Sequence, residues 1–199
     1  MKFKMILATA LLAMSAAGSA LAITNPYPNS GSQNTATYNF TANGGDVTAY
    51  FLGTSAAYTE DLGLLVNGVD SGITGLNNHS SAVGASLDFG TIAAGSTLTF
   101  YINVANTGAT WYSDKSLNAD GAQHVYSTTW SGGPGSIPAG TYVGFEDLAA
   151  SVSDFNYLDE PFVFTNIISA PAVPEPGNIA LLMAGLGVIG VLARRRARF

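Results

Sequence analysis

The chain has 199 residues, room for one domain with appendages, and contains no cysteine. A disulfide framework, a thiolate zinc site and a cysteine nucleophile are therefore excluded. Of thirteen Asp and Glu residues, all but Glu175 lie between Ile23 and Val173, where Lys115 is the single base. Twelve acids against one base repel phosphate backbones, which excludes nucleic acid as a partner, and attract cations instead.

The chain opens MKFKMILATALLAMSAAGSALA, with Lys2 and Lys4 before the apolar run Met5–Met14. It closes on Ala20-Leu21-Ala22, the small-x-small pattern a signal peptidase cuts after. Residues 1–22 read as a secretory signal, with Ala20 and Ala22 marking the cut and Ile23 beginning the mature chain. Residues 23–36, rich in Pro, Asn, Ser and Gly, read as a flexible leader.

Residues 37–168 form short β-type runs separated by turn residues. The candidates are TYNFTA, DVTAYFLG, GLLVNGV, ASLDFGTI, STLTFYINVA, HVYSTTW, TYVGFEDL and FVFTNI. In STLTFYINV, Leu98, Phe100, Ile102 and Val104 alternate with Thr97, Thr99, Tyr101 and Asn103, the period of a half-buried strand. Turn pairs such as Gly44-Gly45, Asn67-Gly68 and Ala139-Gly140 supply the punctuation. Many short strands without a βαβ rhythm predict an all-β domain, an antiparallel sandwich or jelly roll. About 150 residues bury enough surface for a core without staples.

Residues 169–178 contain Pro171, Pro174 and Pro176 and read as an extended linker open to a processing enzyme. Residues 179–193 are uncharged. A helix over those fifteen residues reaches about 22 Å, short of a hydrocarbon core of about 30 Å, which suits a temporary transmembrane anchor. Residues 194–199 form a basic tail, and Arg194, Arg195, Arg196 and Arg198 hold that end on the cytoplasmic side.

Val173-Pro174-Glu175-Pro176, a glycine-containing apolar run and a terminal arginine cluster together resemble the PEP-CTERM sorting signal. The resemblance covers Val173–Phe199. It implies recognition by exosortase, a membrane-embedded cysteine protease-like enzyme of Gram-negative bacteria that make exopolysaccharide. Pro174, Glu175 and Pro176, with Arg194, Arg195 and Arg196, would then be substrate residues that catalyse nothing. The tail would be cut near the motif and the body passed to the outer surface, in a biofilm setting.

One acidic constellation stands out. Glu146, Asp147, Asp154, Asn156, Asp159 and Glu160 fall within fifteen positions, and Asp114, Asn118, Asp120 and His124 lie upstream. Calcium takes six to eight oxygen ligands from such residues, and Asp154-x-Asn156-x-x-Asp159 spaces oxygens within one loop's reach. The glycine and closing glutamate of an EF-hand loop are missing. The spacing admits two readings, a calcium loop and a solvated acidic loop. The order WYSD-x-SLN-x-DG-x-x-HV, GFEDL, then SD-x-D-Y-N-D-x-x-F resembles an uncharacterised bacterial surface domain of β-sandwich type, over Leu87–Asn166. Here Asn156 stands for an Asp and Leu158 for an Asn. The resemblance implies Glu146, Asp147, Asp154, Asn156 and Asp159 as calcium ligands; the Asp114/Asp120 loop is either part of that site or a turn.

Catalytic signals are sparse. His79 sits in a polar loop and His124 at the start of a β-run, and neither a G-x-S-x-G elbow nor an H-E-x-x-H pair occurs. Gly-rich SGGPGSIPAG lacks the lysine and helix of a phosphate loop. Trp111, Tyr112, Tyr126 and Trp130 are either core and edge residues or a sugar-binding face. The sequence thus predicts a non-enzymatic exported surface or matrix protein. Its expected partners are signal peptidase, exosortase, the membrane and extracellular polysaccharide. A carbohydrate-binding module and a secreted hydrolase stand as alternatives.

Overall fold

The computed structural model describes residues 24–133 and 136–171. Eleven strands are seen: β1 Tyr38–Ala42, β2 Gly45–Phe51, β3 Glu60–Val66, β4 Val69–Gly75, β5 Ser86–Ile92, β6 Thr97–Val104, β7 Ala109–Tyr112, β8 Val125–Trp130, β9 Gly140–Phe145, β10 Glu160–Phe164 and β11 Ile167–Pro171. All pairings are antiparallel. One sheet runs β11-β1-β6-β3-β4, with β7 also on β6; the other runs β5-β2-β10-β9-β8. The all-β sandwich expected from the strand pattern is the fold observed.

Alternation explains the core. Leu98, Phe100, Ile102 and Val104 of β6 face inward, at most 2 % exposed, and meet Phe162 and Phe164 of β10. Phe100 and Phe164 stack across the sandwich with ring centroids 3.9 Å apart. On the outer face, Tyr101 lies flat over Gly63, where a Cβ would sit 2.2 Å from its ring, and its hydroxyl donates to Asp70 at 3.2 Å. The second sheet is covered on both sides, so every residue of β10 is buried. Its outer layer packs Leu52, Ile137, Tyr142 and Val163 against Tyr50, Tyr126 and Trp130.

Four features differ from the sequence reading. The run GLLVNGV is a hairpin instead of one strand: Asn67 and Gly68, at φ 51° and 79°, turn β3 into β4, as an Asn-Gly pair with two positive φ angles does. The four-residue β7 is too short to show a period. β11 extends to Pro171, three residues into the stretch read as linker, because its backbone pairs with β1 along Tyr38–Ala42. The described part of the leader is docked, not loose. Tyr27 packs edge-on against Tyr157 at 4.7 Å, and Asn34 donates from Nδ2 to the Val125 carbonyl at 2.8 Å. Asparagine and tyrosine supply there the bonds that regular structure would otherwise make.

Among the described residues, no helix is long and apolar enough to cross a membrane. The signal segment 1–22, the predicted span 179–193 and the basic tail 194–199 lie outside the described residues.

Candidate cation site at one end of the sandwich

β9 and β10 form a hairpin, with Phe145 opposite Glu160, whose connection is the loop 146–159. Glu146-Asp147 leaves β9 as Asp159-Glu160 enters β10, so two acidic pairs meet at the hairpin's open end. The Asp147 N–H donates to Asp159 Oδ2 at 2.9 Å, and the Tyr157 N–H donates to Glu146 Oε2 at 3.2 Å. Further out, Asp154 accepts from Asn156 N at 3.0 Å and Nδ2 at 2.8 Å. Phe155 and Tyr157 flank Asn156 at φ 53° and 55°. Aromatic residues avoid that left-handed region; such strain persists only where the surroundings hold it. The hold is Tyr157, fully buried, whose hydroxyl donates to the Gln123 carbonyl at 3.2 Å and accepts from Asn34 N at 2.8 Å.

Two rings support the other end of the loop. Trp111 of β7 donates from Nε1 to the Asp147 carbonyl at 2.7 Å. His124 stacks on Trp111 at 3.8 Å, places Nδ1 3.0 Å from the Glu146 carbonyl and sets Nε2 3.1 Å from Asp120 Oδ2. Asp120 in turn accepts from Ala150 N at 2.9 Å. Asp120 therefore braces the loop without lining the pocket, and Asp114 caps a short 3-10 turn through Ser116 N.

All five residues proposed as ligands line one pocket of about 280 Å³: Glu146, Asp147, Asp154, Asn156 and Asp159, facing a wall at Ser55–Tyr58. Ligand oxygens of Glu146, Asp147 and Asp159 lie within 4.8 Å of one another. A cation 2.3–2.6 Å from each oxygen spans such a triangle, so the residues fit calcium. A solvated loop would leave its acids in water, yet these three are 1 %, 4 % and 6 % exposed.

Sequence reasoning missed Glu60 and did not assign Glu160 to the site. Both are fully buried. Glu60 starts β3 in the opposite sheet, and its carboxyl lies within hydrogen-bonding reach of Asp147; Asn78 Nδ2 donates to its Oε2. Both carboxylates carry a legible signal. Glu60 is in phase with the inward Leu62 and Leu64, and Glu160 with Phe162 and Phe164, where a charge needs a partner.

Burial dominates the electrostatics. It pushes Glu60 up to about 9, with the Asp147 carboxyl adding to it, and Asp159 to about 9, with Glu146 and Asp147 adding. Glu160 is raised well above the carboxylate range, and Glu146 and Asp147 move the same way. Among the described residues the only ion pair is His124–Asp120, so no basic side chain neutralises the cluster.

The other candidates fall elsewhere. His79 is exposed, and His124 is buried behind the loop. Trp111 is occupied by His124, while Tyr126 and Trp130 pack on Tyr142 and Tyr112 on Tyr101, so these aromatics form no common sugar-binding face.

A family model described as the PEP-CTERM protein-sorting motif matches residues 172–196. The chain carries a PEP-CTERM sorting motif. The match begins one residue after β11 ends at Pro171, so the sorting signal abuts the sandwich directly. It takes in Pro174, Glu175 and Pro176 and the arginines Arg194, Arg195 and Arg196, all outside the described residues, as are Ala20 and Ala22. A PEP-CTERM motif implies export, a membrane-anchored sorting signal and processing by exosortase. Comparisons with curated proteins and with solved structures gave no match.

Proposed function

We propose that this PEP-CTERM protein is a non-enzymatic component of a Gram-negative cell surface or its extracellular polysaccharide matrix, released from its tail by exosortase and fastened by calcium. The sorting part rests on the motif at residues 172–196. The calcium part rests on one observation: Glu146, Asp147 and Asp159 are buried around a common point with no basic side chain among the described residues to balance them. Burying unpaired carboxylates costs several kcal/mol each, and a bound divalent cation removes that cost. In a chain without cysteine, calcium takes over the bracing role of a disulfide. Its ligands Glu146, Asp147, Asp154, Asn156 and Asp159 tie both ends of the 146–159 loop together.

Thermal melting tests this. With millimolar Ca²⁺ the midpoint should rise by several degrees over chelator, since a ligand held only by the folded state stabilises it. An unchanged midpoint would remove the calcium role. Deleting residues 179–199 should release the body unprocessed into the medium; retention at the membrane would place the anchor elsewhere. A carbohydrate-binding module is the second reading, supported by the half-buried Tyr58, which lines the pocket together with the carboxylates. Saturable, calcium-dependent binding to polysaccharide would favour it.

A further inference from the structure

The strand that leads into the sorting motif is lightly secured. β11 stands at the edge of its sheet and pairs on one side only, with β1, from Ala42↔Ile167 to Tyr38↔Pro171. None of residues 167–170 is buried, and Ile168 is 49 % exposed. A hydrogen bond from Ser127 Oγ to Ser169 Oγ at 3.2 Å ties the strand to the facing sheet, and Pro171 has no N–H to give to β1. Segments held by so few buried contacts open locally, well below the free energy of global unfolding. The motif match starts at residue 172, and Pro174 stands three residues beyond the last paired one. Seven residues, 172–178, separate β11 from the predicted span 179–193, and fully extended they reach at most about 25 Å. An enzyme that takes a peptide as an extended strand bonds its main chain. The backbone groups that β11 turns toward β1 are engaged in the sheet and cannot be offered.

We propose that Ser169, Ala170 and Pro171 have two uses in turn. In the resting body they close β11 against β1; once that strand has peeled away, they form the N-terminal side of the exosortase substrate. Cleavage near the motif, on which this rests, is the processing already proposed; peeling governs access to the bond and adds no chemistry to it. Releasing the five residues of β11 lengthens the free segment by about 17 Å, so the folded body need not press against a membrane-embedded enzyme while the bond enters its cleft. Peeling costs little, because a strand with no buried residue from 167 to 170 returns little apolar surface to water. After the cut the strand re-forms on β1, whose pairing groups stay in place. Where opening and closing are fast relative to cutting, the cleavage rate follows the population of the open strand. Tighter pairing of β1 with β11 then slows release, and a longer free segment makes that pairing irrelevant.

A cross-link tests this, and the absence of cysteine makes it unambiguous. Asn39 and Ala170 stand opposite each other across β1 and β11, and both are exposed. The full chain carrying Asn39→Cys and Ala170→Cys is placed in membranes that contain exosortase, and its cleavage is followed by intact mass. Oxidised and reduced protein are compared, with the wild type in reductant alongside; thiol titration reports that the bond has closed. Should that pair not close, Thr41→Cys with Ile168→Cys, the facing pair two positions along the ladder, serves instead. The oxidised protein should be cut about tenfold more slowly than the reduced one, since the cross-link removes the open strand. A flexible Gly/Ser insert between Pro171 and Ala172 should restore the oxidised rate, because it supplies free chain without peeling. Equal rates for oxidised and reduced protein would overturn the proposal. A block that the insert does not relieve would overturn it too, since the disulfide would then act by something other than strand access. A wild type that is never cut would overturn processing at the motif, and strand release with it.

Discussion

Trp111 shows how one N–H can set the position of a carboxylate. Its indole donates to the Asp147 carbonyl at 2.7 Å while its face carries His124. Trp111→Phe preserves most of the stacking surface and leaves that carbonyl buried without its donor. An unsatisfied buried acceptor costs about 1–3 kcal/mol, which urea denaturation in chelator should register. Groups that orient metal ligands typically change affinity tenfold or more, so calcium binding should weaken by about that factor. Unchanged stability and affinity would mean that the loop holds its shape without the indole. Trp111 was legible as a buried or exposed aromatic, but its partner was not, because Asp147 lies in another hairpin and meets it only through the packing of β7 against the end of β9.

At the scale of elements, the loop 146–159 folds back onto the strand it leaves. A Cβ on Gly144 would sit 2.2 Å from the Tyr157 carbonyl and 2.5 Å from the Tyr142 hydroxyl. The first contact is backbone and cannot swing away. Gly144→Ala should therefore cost about 3 kcal/mol, the upper range for overpacking, and should also abolish the calcium-dependent rise in Tm by lifting Tyr157 and its neighbours. Gly68→Ala is the control: nothing lies within 4 Å of its Cβ, and only the positive φ of 79° is strained, for about 1 kcal/mol. Equal losses at both glycines would argue against a tight return of the loop. TYVGFEDL reads from sequence as one strand run, but the strand ends at Phe145 and Glu146–Leu148 belong to the loop. The close approach at Gly144 has no local signature, because what it accommodates is a backbone thirteen residues later. The last three residues of β11, 169–171, likewise read as linker, since their strand character comes from pairing with β1 and not from their own alternation.

For the whole molecule, the buried carboxyls couple stability to pH. Glu60 and Asp159 are raised to about 9 and burial raises Glu160 as well, against about 4 in an unfolded chain. Between those values the folded, metal-free protein holds protons that the unfolded chain releases. Its stability is therefore fully present below about pH 4 as far as these groups decide it, and falls as pH rises toward 9. Calcium binds the ionised form and should reverse the trend, adding little at pH 5 and most at pH 9. Melting curves at pH 5, 7 and 9, with Ca²⁺ and with chelator, check both signs. A chelated protein whose Tm is flat across that range would show that the cluster is solvated and carries no such linkage. With about 3 °C of Tm per kcal/mol in a domain of this size, the expected slope is readily measured.

The sequence by itself determined the sorting motif and the antiparallel β class, because each is carried by neighbours along the chain: an ordered tail and a period of two. Spacing within one loop left the acidic residues open between a cation site and a solvated loop, and a resemblance, not the spacing, singled out Glu146, Asp147, Asp154, Asn156 and Asp159, which are among the residues that line the pocket. Only the tertiary structure decided that those oxygens are buried and that Glu60 of the facing sheet joins them. It also decided that the leader packs on Tyr157 and that Trp111 and His124 brace the loop from behind. Burial and cross-sheet contact depend on which surfaces the fold lays together, and no local pattern records that choice. Glu60 and Glu160 stand between the two cases: their phase in the strands marks them as facing inward, while the company they find there belongs to the fold.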